Sequence, residues 1–383
     1  MAVVRRALAI GLLAFAWPAA AHAQTLTLGA APGSTKFGGT VTFSGTLTPA
    51  AEGVAVAVFA LSPGVKLMGQ TTVAADGSWS IPAALTGPGP YVARAQLDPS
   101  TTVDSSQVVV SLKPRLEAQV AGRRTVGSKV VLRGRLQPAA AGRLTLRFAG
   151  TSRRVRVGPA GRFEVRLPSD VPGRFRWSLA LAPKPGFLAA KRANTLLLSA
   201  PALALGSRGP AVLALERRLN KLRYALRSVD STYGHDTYEA VLALQKVHGR
   251  SRTGRVGAAE WRLLRTSGVP RARVPRGDHI EVSKTTQVMY EVRDGKVVRV
   301  VHVSTGLTGN TPVGKFRVYL LTPGTLPSGM YYSLFFLRGF AIHGYPSVPA
   351  YPASHGCVRT PMWFAPGFYR RWGKIGTAIH VFA

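Results

Sequence analysis

Hydrophobic and polar residues alternate with a period of two over most of this chain, and one stretch breaks the pattern with a helical period. Up to about residue 200, short alternating runs such as Val41-Thr42-Phe43-Ser44 are bounded by Gly, Pro and Asp turns, which predicts an all-β sandwich pattern. From Leu205 the spacing changes. Val212, Leu215, Leu219 and Leu222 recur on one face of a helix, with Glu216, Arg217, Arg218 and Lys221 elsewhere, and Pro210 suits the first helical turn. Further helices are predicted over about 237–247 and 258–264. Alternation then returns: Ile280 and Val282, then Val288, Tyr290 and Val292. Asp294-Gly295 is a two-residue hairpin signal, and "KVVRVVHVSTG" reads as the return strand. Phe316, Val318 and Leu320 predict another strand, and "TAIHVFA" a last one.

The first half holds an internal repeat. "GGTVTFSGTLTPAAEG" matches "VGSKVVLRGRLQPAAAG", so that Gly45, Pro49 and Gly53 align with Gly134, Pro138 and Gly142. Further on, Gly77 and Trp79 align with Gly161 and Phe163, and Gly89 and Tyr91 with Gly173 and Phe175. Together with the change of period, this divides the chain into 24–112, 113–200, 201–267 and 278–383. Ahead of them, Arg5 and Arg6 are followed by an apolar run and by Ala21-His22-Ala23, the pattern of a signal peptide over 1–23. The run is too short to span a bilayer, and no other segment reads as transmembrane. An exported protein, in the periplasm or cell wall, is therefore expected.

Composition sharpens that expectation. The formal net charge is +34, from 50 basic and 16 acidic residues. Such an excess favours polyanionic surroundings, and export points away from nucleic acid and towards anionic wall polymers. The two repeat copies differ: 24–112 carries Lys36, Lys66 and Arg94 against four acids, whereas 113–200 is rich in arginine, including Arg123, Arg124, Arg153, Arg154 and Arg156. No cluster of histidine, cysteine and carboxylate has metal-ligand spacing, so neither a metal nor another cofactor is expected.

The chain has a single cysteine, Cys357, in "YPASHGCVRTP". It can form no internal disulfide, which leaves an inert thiol, an intermolecular link or a nucleophile. A nucleophilic thiol needs a histidine at hydrogen-bond range. His355 lies two residues upstream and, in an extended segment, on the same face. His343 ends the apolar run "FAIHGYPS", with a connection long enough to fold back. His302, inside "VVRVVHVS", reads as a sheet histidine. The residues alone do not rank His343 against His355. Gly344 and Gly356 leave room for substrate and for backbone amides facing a reacting carbonyl.

Three resemblances follow. Both repeat copies resemble bacterial immunoglobulin-like domains, in architecture rather than in a diagnostic motif. "LGSRGPAV", "ALERRLN", "YG..T..AV.ALQ..HG" and "TG.VG...W..L" resemble the three-helix peptidoglycan-binding module, with two departures: Tyr233 where a Phe-type residue is usual, and Arg250 to Arg252 in place of an apolar–Pro entry to the last turn. "VSTGLTGNTPVGKFRV" and "IHGYPSVPAYPASHGCVR" closely resemble the YkuD-type L,D-transpeptidase catalytic domain, through His343-Gly344 followed by Ser354-His355-Gly356-Cys357-Val358-Arg359. The implied fold is multidomain and mainly β: two Ig-like β-sandwiches, a small three-helix bundle and a β-rich catalytic domain.

The last resemblance implies Cys357 as nucleophile, His343 as its base oriented by the Gly344 backbone carbonyl, and His355 as a secondary histidine. It also implies the amides of Gly356 and Cys357 as oxyanion donors, Arg359 facing a substrate carboxylate, and Ser354 as a loop-positioning residue. Tyr331, Tyr345, Tyr351 and Trp363 are candidates for a groove. Peptidoglycan stem peptides and glycan are the implied partners. The implied reaction attacks a tetrapeptide stem, releases D-Ala and passes the acyl group to an amine, forming a 3-3 crosslink. Resolution by water, resolution by a wall-protein amine, and a non-catalytic wall-binding role remain open as alternatives.

Overall fold

A computed structural model describes residues 23–383. The apolar leader and most of its expected cleavage site lie outside the described residues.

The alternation of the first half resolves into two pairs of sheets. In the first unit, strands Thr40–Thr48 and Ser78–Ala84 send Val41, Phe43, Leu47, Trp79 and Ile81 inwards, against Val56, Val58, Tyr91 and Val110 of a sheet that includes Ala55–Ala60, Gly89–Gln96 and Val108–Lys113. In the second unit, a three-stranded sheet (Arg115–Ala121, Val130–Gln137, Arg162–Leu167) faces a four-stranded one (Thr151–Val155, Gly142–Phe148, Gly173–Pro183, Lys191–Leu198), with Leu132, Leu136, Leu146, Phe163, Trp177 and Leu179 between them. The repeat has a packing reason at Gly45 and Gly134. A Cβ at either would overlap a backbone carbonyl of the neighbouring antiparallel segment (Thr27, Glu117) and press on the aligned aromatic ring (Trp79, Phe163). Only glycine fits beneath those rings.

Three helices follow: α1 Pro210–Lys221, α2 His235–Val247 and α3 Ala258–Thr266. Val212, Leu215, Leu219 and Leu222 are buried, as their spacing predicts. Glu216 is not on a solvated face. It is 1% exposed and accepts hydrogen bonds from the amides of Asp230 (3.0 Å) and Ser231 (2.9 Å) and from Thr237 Oγ1 (3.1 Å). A helical-period reading sets it off the apolar face because the period sees apolarity, not the loop amides that an inward carboxylate can satisfy. Tyr233 is buried too, with its hydroxyl donating to the Gly254 carbonyl at 2.7 Å.

The helical core runs directly into the next unit: Val288, Val292, Val297 and Val300 belong to the same buried cluster as Leu215, Val241 and Leu244. That last unit has a five-stranded sheet, ordered Lys296–His302, Val288–Arg293, His279–Ser283, Ala378–Phe382, Gly314–Arg317, and a four-stranded sheet, ordered Leu320–Thr325, Tyr331–Leu337, Phe340–Tyr345, Val358–Pro361. Asp294 and Gly295 make the expected hairpin turn. The run through Phe316, Val318 and Leu320 is two strands rather than one, because the chain crosses between the sheets at Val318 and Tyr319. The C-terminal strand lies inside its sheet, parallel to His279–Ser283. A fourth helix, α4 Ala365–Trp372, has no counterpart in the strand pattern and packs Phe368 and Trp372 into the core. Among the described residues no helix is long and apolar enough to cross a membrane.

Candidate active site

Strands Phe340–Tyr345 and Val358–Pro361 are parallel neighbours, with Ile342 opposite Val358 and His343 opposite Arg359. Because side chains alternate along a strand, Ile342 and Val358 point into the core, while His343 and Arg359 take the other face. Cys357 lies in the bend just before that strand, and the Arg359 charge acts on both its thiol and the His343 ring. The loop 346–357 supplies the return needed to lay two parallel strands side by side.

His343 is 3% exposed, and its Nδ1 lies 2.9 Å from the Gly344 carbonyl oxygen. A carbonyl only accepts, so Nδ1 carries the proton and Nε2 keeps its lone pair. Burial holds the imidazole below its usual pKa; the Gly344 hydrogen bond opposes that shift and the Arg359 charge adds to it. Burial pushes the Cys357 thiol up, with the Ala341 backbone and the Arg359 charge pulling it partway back. Both groups are therefore neutral in the resting site at pH 7. The thiol is directed towards the Gly339 carbonyl, at 3.7 Å, so His343 and Cys357 are not joined by a hydrogen bond.

Arg359 makes no ion pair among the described residues; its guanidinium stacks 4.2 Å above the Tyr345 ring, which in turn meets His343 edge-on at 5.8 Å. A cation held on an aromatic face keeps its donors available for a carboxylate. Ser354 is a loop positioner by its contacts: Oγ donates to the Cys357 carbonyl at 2.6 Å and accepts from the Gly356 amide at 3.0 Å. Of the expected pair of oxyanion donors, the Gly356 amide is therefore engaged within the loop in this substrate-free structure. The expectation for His355 is corrected. Residues 355–357 form a bend rather than an extended run, so the two-residue spacing does not align His355 with the thiol; it is exposed, and its carbonyl accepts from Asn310 Nδ2 at 2.6 Å. Trp363 donates its indole N–H to Glu239 of α2 at 2.6 Å. Tyr331 packs edge-on against Tyr332, and Tyr351 is 62% exposed.

The bend depends on Gly356. Its φ is +134°, and a Cβ there would overlap the Phe340 ring. Gly356→Ala should destabilise the protein by about 2–5 kcal/mol, the combined cost of a disfavoured backbone region and an overpacked contact. A denaturant midpoint unchanged from wild type would refute this.

Sequence reasoning assigned no roles within 303–314, yet this loop clamps the cysteine segment. Ser304 and Arg359 exchange both backbone hydrogen bonds (3.1 and 2.8 Å), and the Ser354 amide donates to the Thr305 carbonyl at 3.0 Å. Thr311 Oγ1 donates to the Gly356 carbonyl at 2.7 Å and accepts from the Gly306 amide at 2.8 Å. The available signal was the density of Gly, Thr, Ser and Asn in "STGLTGNTPVG", which favours side chain–backbone bonding.

Comparison with known proteins places two segments of the chain in described families. Residues 277–381 match the family model described as the L,D-transpeptidase catalytic domain, and residues 208–264 match that of a putative peptidoglycan binding domain. Among solved structures, an L,D-transpeptidase fragment from Xylanimonas cellulosilytica is 36% identical, with 48% of this chain and 99% of that one covered and a TM-score of 0.46. A Cys-to-Ser variant of the Enterococcus faecium L,D-transpeptidase is 26% identical over 28% of this chain and 50% of its own, with a TM-score of 0.25. A tandem-repeat segment from a large adhesion protein is 19% identical over 46% of this chain and 49% of its own, with a TM-score of 0.31. No curated protein matches the chain.

Proposed function

With residues 277–381 belonging to the L,D-transpeptidase catalytic family and residues 208–264 to the peptidoglycan-binding one, we propose that this chain is an exported, wall-bound acyltransferase that makes 3-3 crosslinks between stem peptides through a thioester on Cys357. The observation that carries the reading is the pairing of His343 with Arg359 on adjacent strands, immediately after Cys357, with the His343 tautomer set by the Gly344 carbonyl.

The donor is a tetrapeptide stem, attacked at the carbonyl between its third residue and the terminal D-Ala. As Sγ forms its bond to that carbon, the thiol proton passes to His343 Nε2. The oxyanion is met by the Cys357 amide, and Arg359 takes a carboxylate of the stem as a bidentate partner. The C–N bond breaks, and D-Ala leaves with the proton from His343. An amine of a second stem then attacks the thioester. Its proton goes to Nε2, the new amide forms, and the sulfur departs and is reprotonated. Energy from the donor amide is conserved in the thioester, so no ATP is consumed.

The helical unit would hold glycan and stem peptide near the reaction. The four-stranded sheet of the second unit presents Arg143, Arg147, Arg154, Arg174 and Arg176 to solvent and has no Asp or Glu in its strands, which supports an anionic wall polymer as a further partner.

The test is the intact mass of the protein after mixing with a disaccharide tetrapeptide. The expected adduct is the donor less one D-Ala, and adding an amine acceptor should discharge it as crosslinked product. Discharge only to the free tripeptide acid would convert the assignment to a carboxypeptidase. An absence of both adduct and released D-Ala, with wall binding retained, would leave a binding factor.

A further inference from the structure

Between His343 and Cys357 the chain runs through loop 346–356, which sets where the thiol sits relative to its base. Two of its carbonyls are held by contacts that lead to the helical unit, Ala350 directly and Val348 through His302. Lys246, in the last turn of α2, is 3% exposed, and its Nζ reaches the carbonyls of Gln287 (3.0 Å) and Val303 (2.9 Å) and Nδ1 of His302 (2.6 Å). Nε2 of His302 lies 2.8 Å from the Val348 carbonyl in the loop. Since a carbonyl only accepts, Nε2 carries the proton and Nδ1 accepts from Lys246. Three acceptors around one nitrogen match the three donors of an ammonium and oppose the burial that pulls the Lys246 pKa down to about 6.

The other contacts extend the same grip. Arg252 Nη1 donates to the Ala350 carbonyl of the loop at 2.7 Å and Nη2 to the Thr285 carbonyl at 3.2 Å. The residues held by Lys246 are themselves part of the clamp on the cysteine segment. Gln287 brackets Thr305 with two hydrogen bonds (2.7 and 2.8 Å), and Val303 precedes Ser304, which pairs with Arg359. Arg252 lies in the stretch where the sequence departs from the usual peptidoglycan-binding pattern. That departure places a cation where it meets the catalytic loop.

We infer that the helical unit is a working part of the active site, with Lys246 and Arg252 as positioning residues that hold the His343–Cys357 loop in register. The inference rests on the transferase reading for its kinetic consequence, but not for its structural one. Arg252 is exposed, so its removal leaves the core intact. Arg252→Ala is expected to slow acylation of Cys357 by the tetrapeptide by about tenfold, because small displacements of a reacting pair are costly. KM should change little, Arg252→Lys should recover part of the rate, and Lys246→Met should show a larger loss. Arg250→Ala, at an exposed neighbour, should change nothing.

The second readout is amide hydrogen exchange of residues 346–356 in the full chain, which needs no substrate. Faster exchange there in Arg252→Ala, with the helical core still protected, supports the inference. Unchanged exchange and unchanged acylation in both Arg252→Ala and a folded Lys246→Met would overturn it and leave the helices as a tether. If wild type itself forms no adduct, the transferase reading fails, and the exchange result alone decides the positioning claim.

Discussion

A Cys357→Ala chain is expected to fold, bind wall and bind the tetrapeptide, yet form no adduct and release no D-Ala. The expected fall in rate is about 10⁴–10⁶-fold, the scale on which enzymes lose turnover when a nucleophile is deleted. Little stability should go with it. The residue is only partly buried, its thiol makes one long hydrogen bond to Gly339, and Ala is smaller than Cys, so the bend around Gly356 stays intact. Far-UV circular dichroism and wall pull-down check that half of the prediction, and intact mass with a D-Ala assay checks the other. Ser354, the nearby hydroxyl, cannot rescue the reaction. Its Oγ is engaged by the Cys357 carbonyl and the Gly356 amide, and it has no base beside it. An adduct that persists in Cys357→Ala would therefore refute the thioester itself, not merely its acceptor.

How much of this was legible in the sequence depended on whether a feature was local. Period-two alternation located the strands of both sandwich units, and helical spacing located the buried face of α1, because burial of one face imposes those periods directly. The shared glycines of the repeat were visible, although their reason, an aromatic ring and a neighbouring backbone carbonyl packed against them, was not. His343-Gly344 and Ser354 through Arg359 could be named as candidates from their residue types and their family resemblance. What was not legible needed a partner from elsewhere in the chain. The helical period set Glu216 off the apolar face and could not show its burial, because its amide donors come from the loop at Asp230 and Ser231. His355 was aligned with the thiol by assuming an extended segment, which the φ of Gly356 prevents. Trp363 stood as one of four groove candidates, each as readily ordinary packing, and its acceptor, Glu239 of α2, lies more than a hundred residues away in the chain. Lys246 received no role from the sequence, and only the packing of α2 against Lys296–His302 turns it inwards.

His343→Ala should cost about 10²–10⁴-fold in acylation, the usual share of a positioned base, and its pH dependence should separate a base from a merely structural histidine. In wild type the imidazole is held below its ordinary pKa, chiefly by burial, and the thiol above its own, again chiefly by burial. The sign follows from those directions. The base is lost only as pH falls through the lowered imidazole value, so the acid limb of kcat/KM should lie below the ordinary histidine range, with full activity across neutral pH. Without His343 that limb has no source. The residual rate should then track the thiolate fraction, climbing with pH towards a value above that of free cysteine. Alkylation by iodoacetamide reports the thiolate without requiring donor binding, and in substrate-free wild type it should also rise only at high pH. A thiolate–imidazolium pair would instead alkylate rapidly at pH 7 and lose that reactivity in His343→Ala. This outcome would mean that the two groups are already hydrogen-bonded before substrate arrives, contrary to the Gly339 contact of the thiol. The neutral pair has a chemical advantage for the proposed exported enzyme: a thiol that ionises only when a carbonyl is presented is protected from oxidation between turnovers.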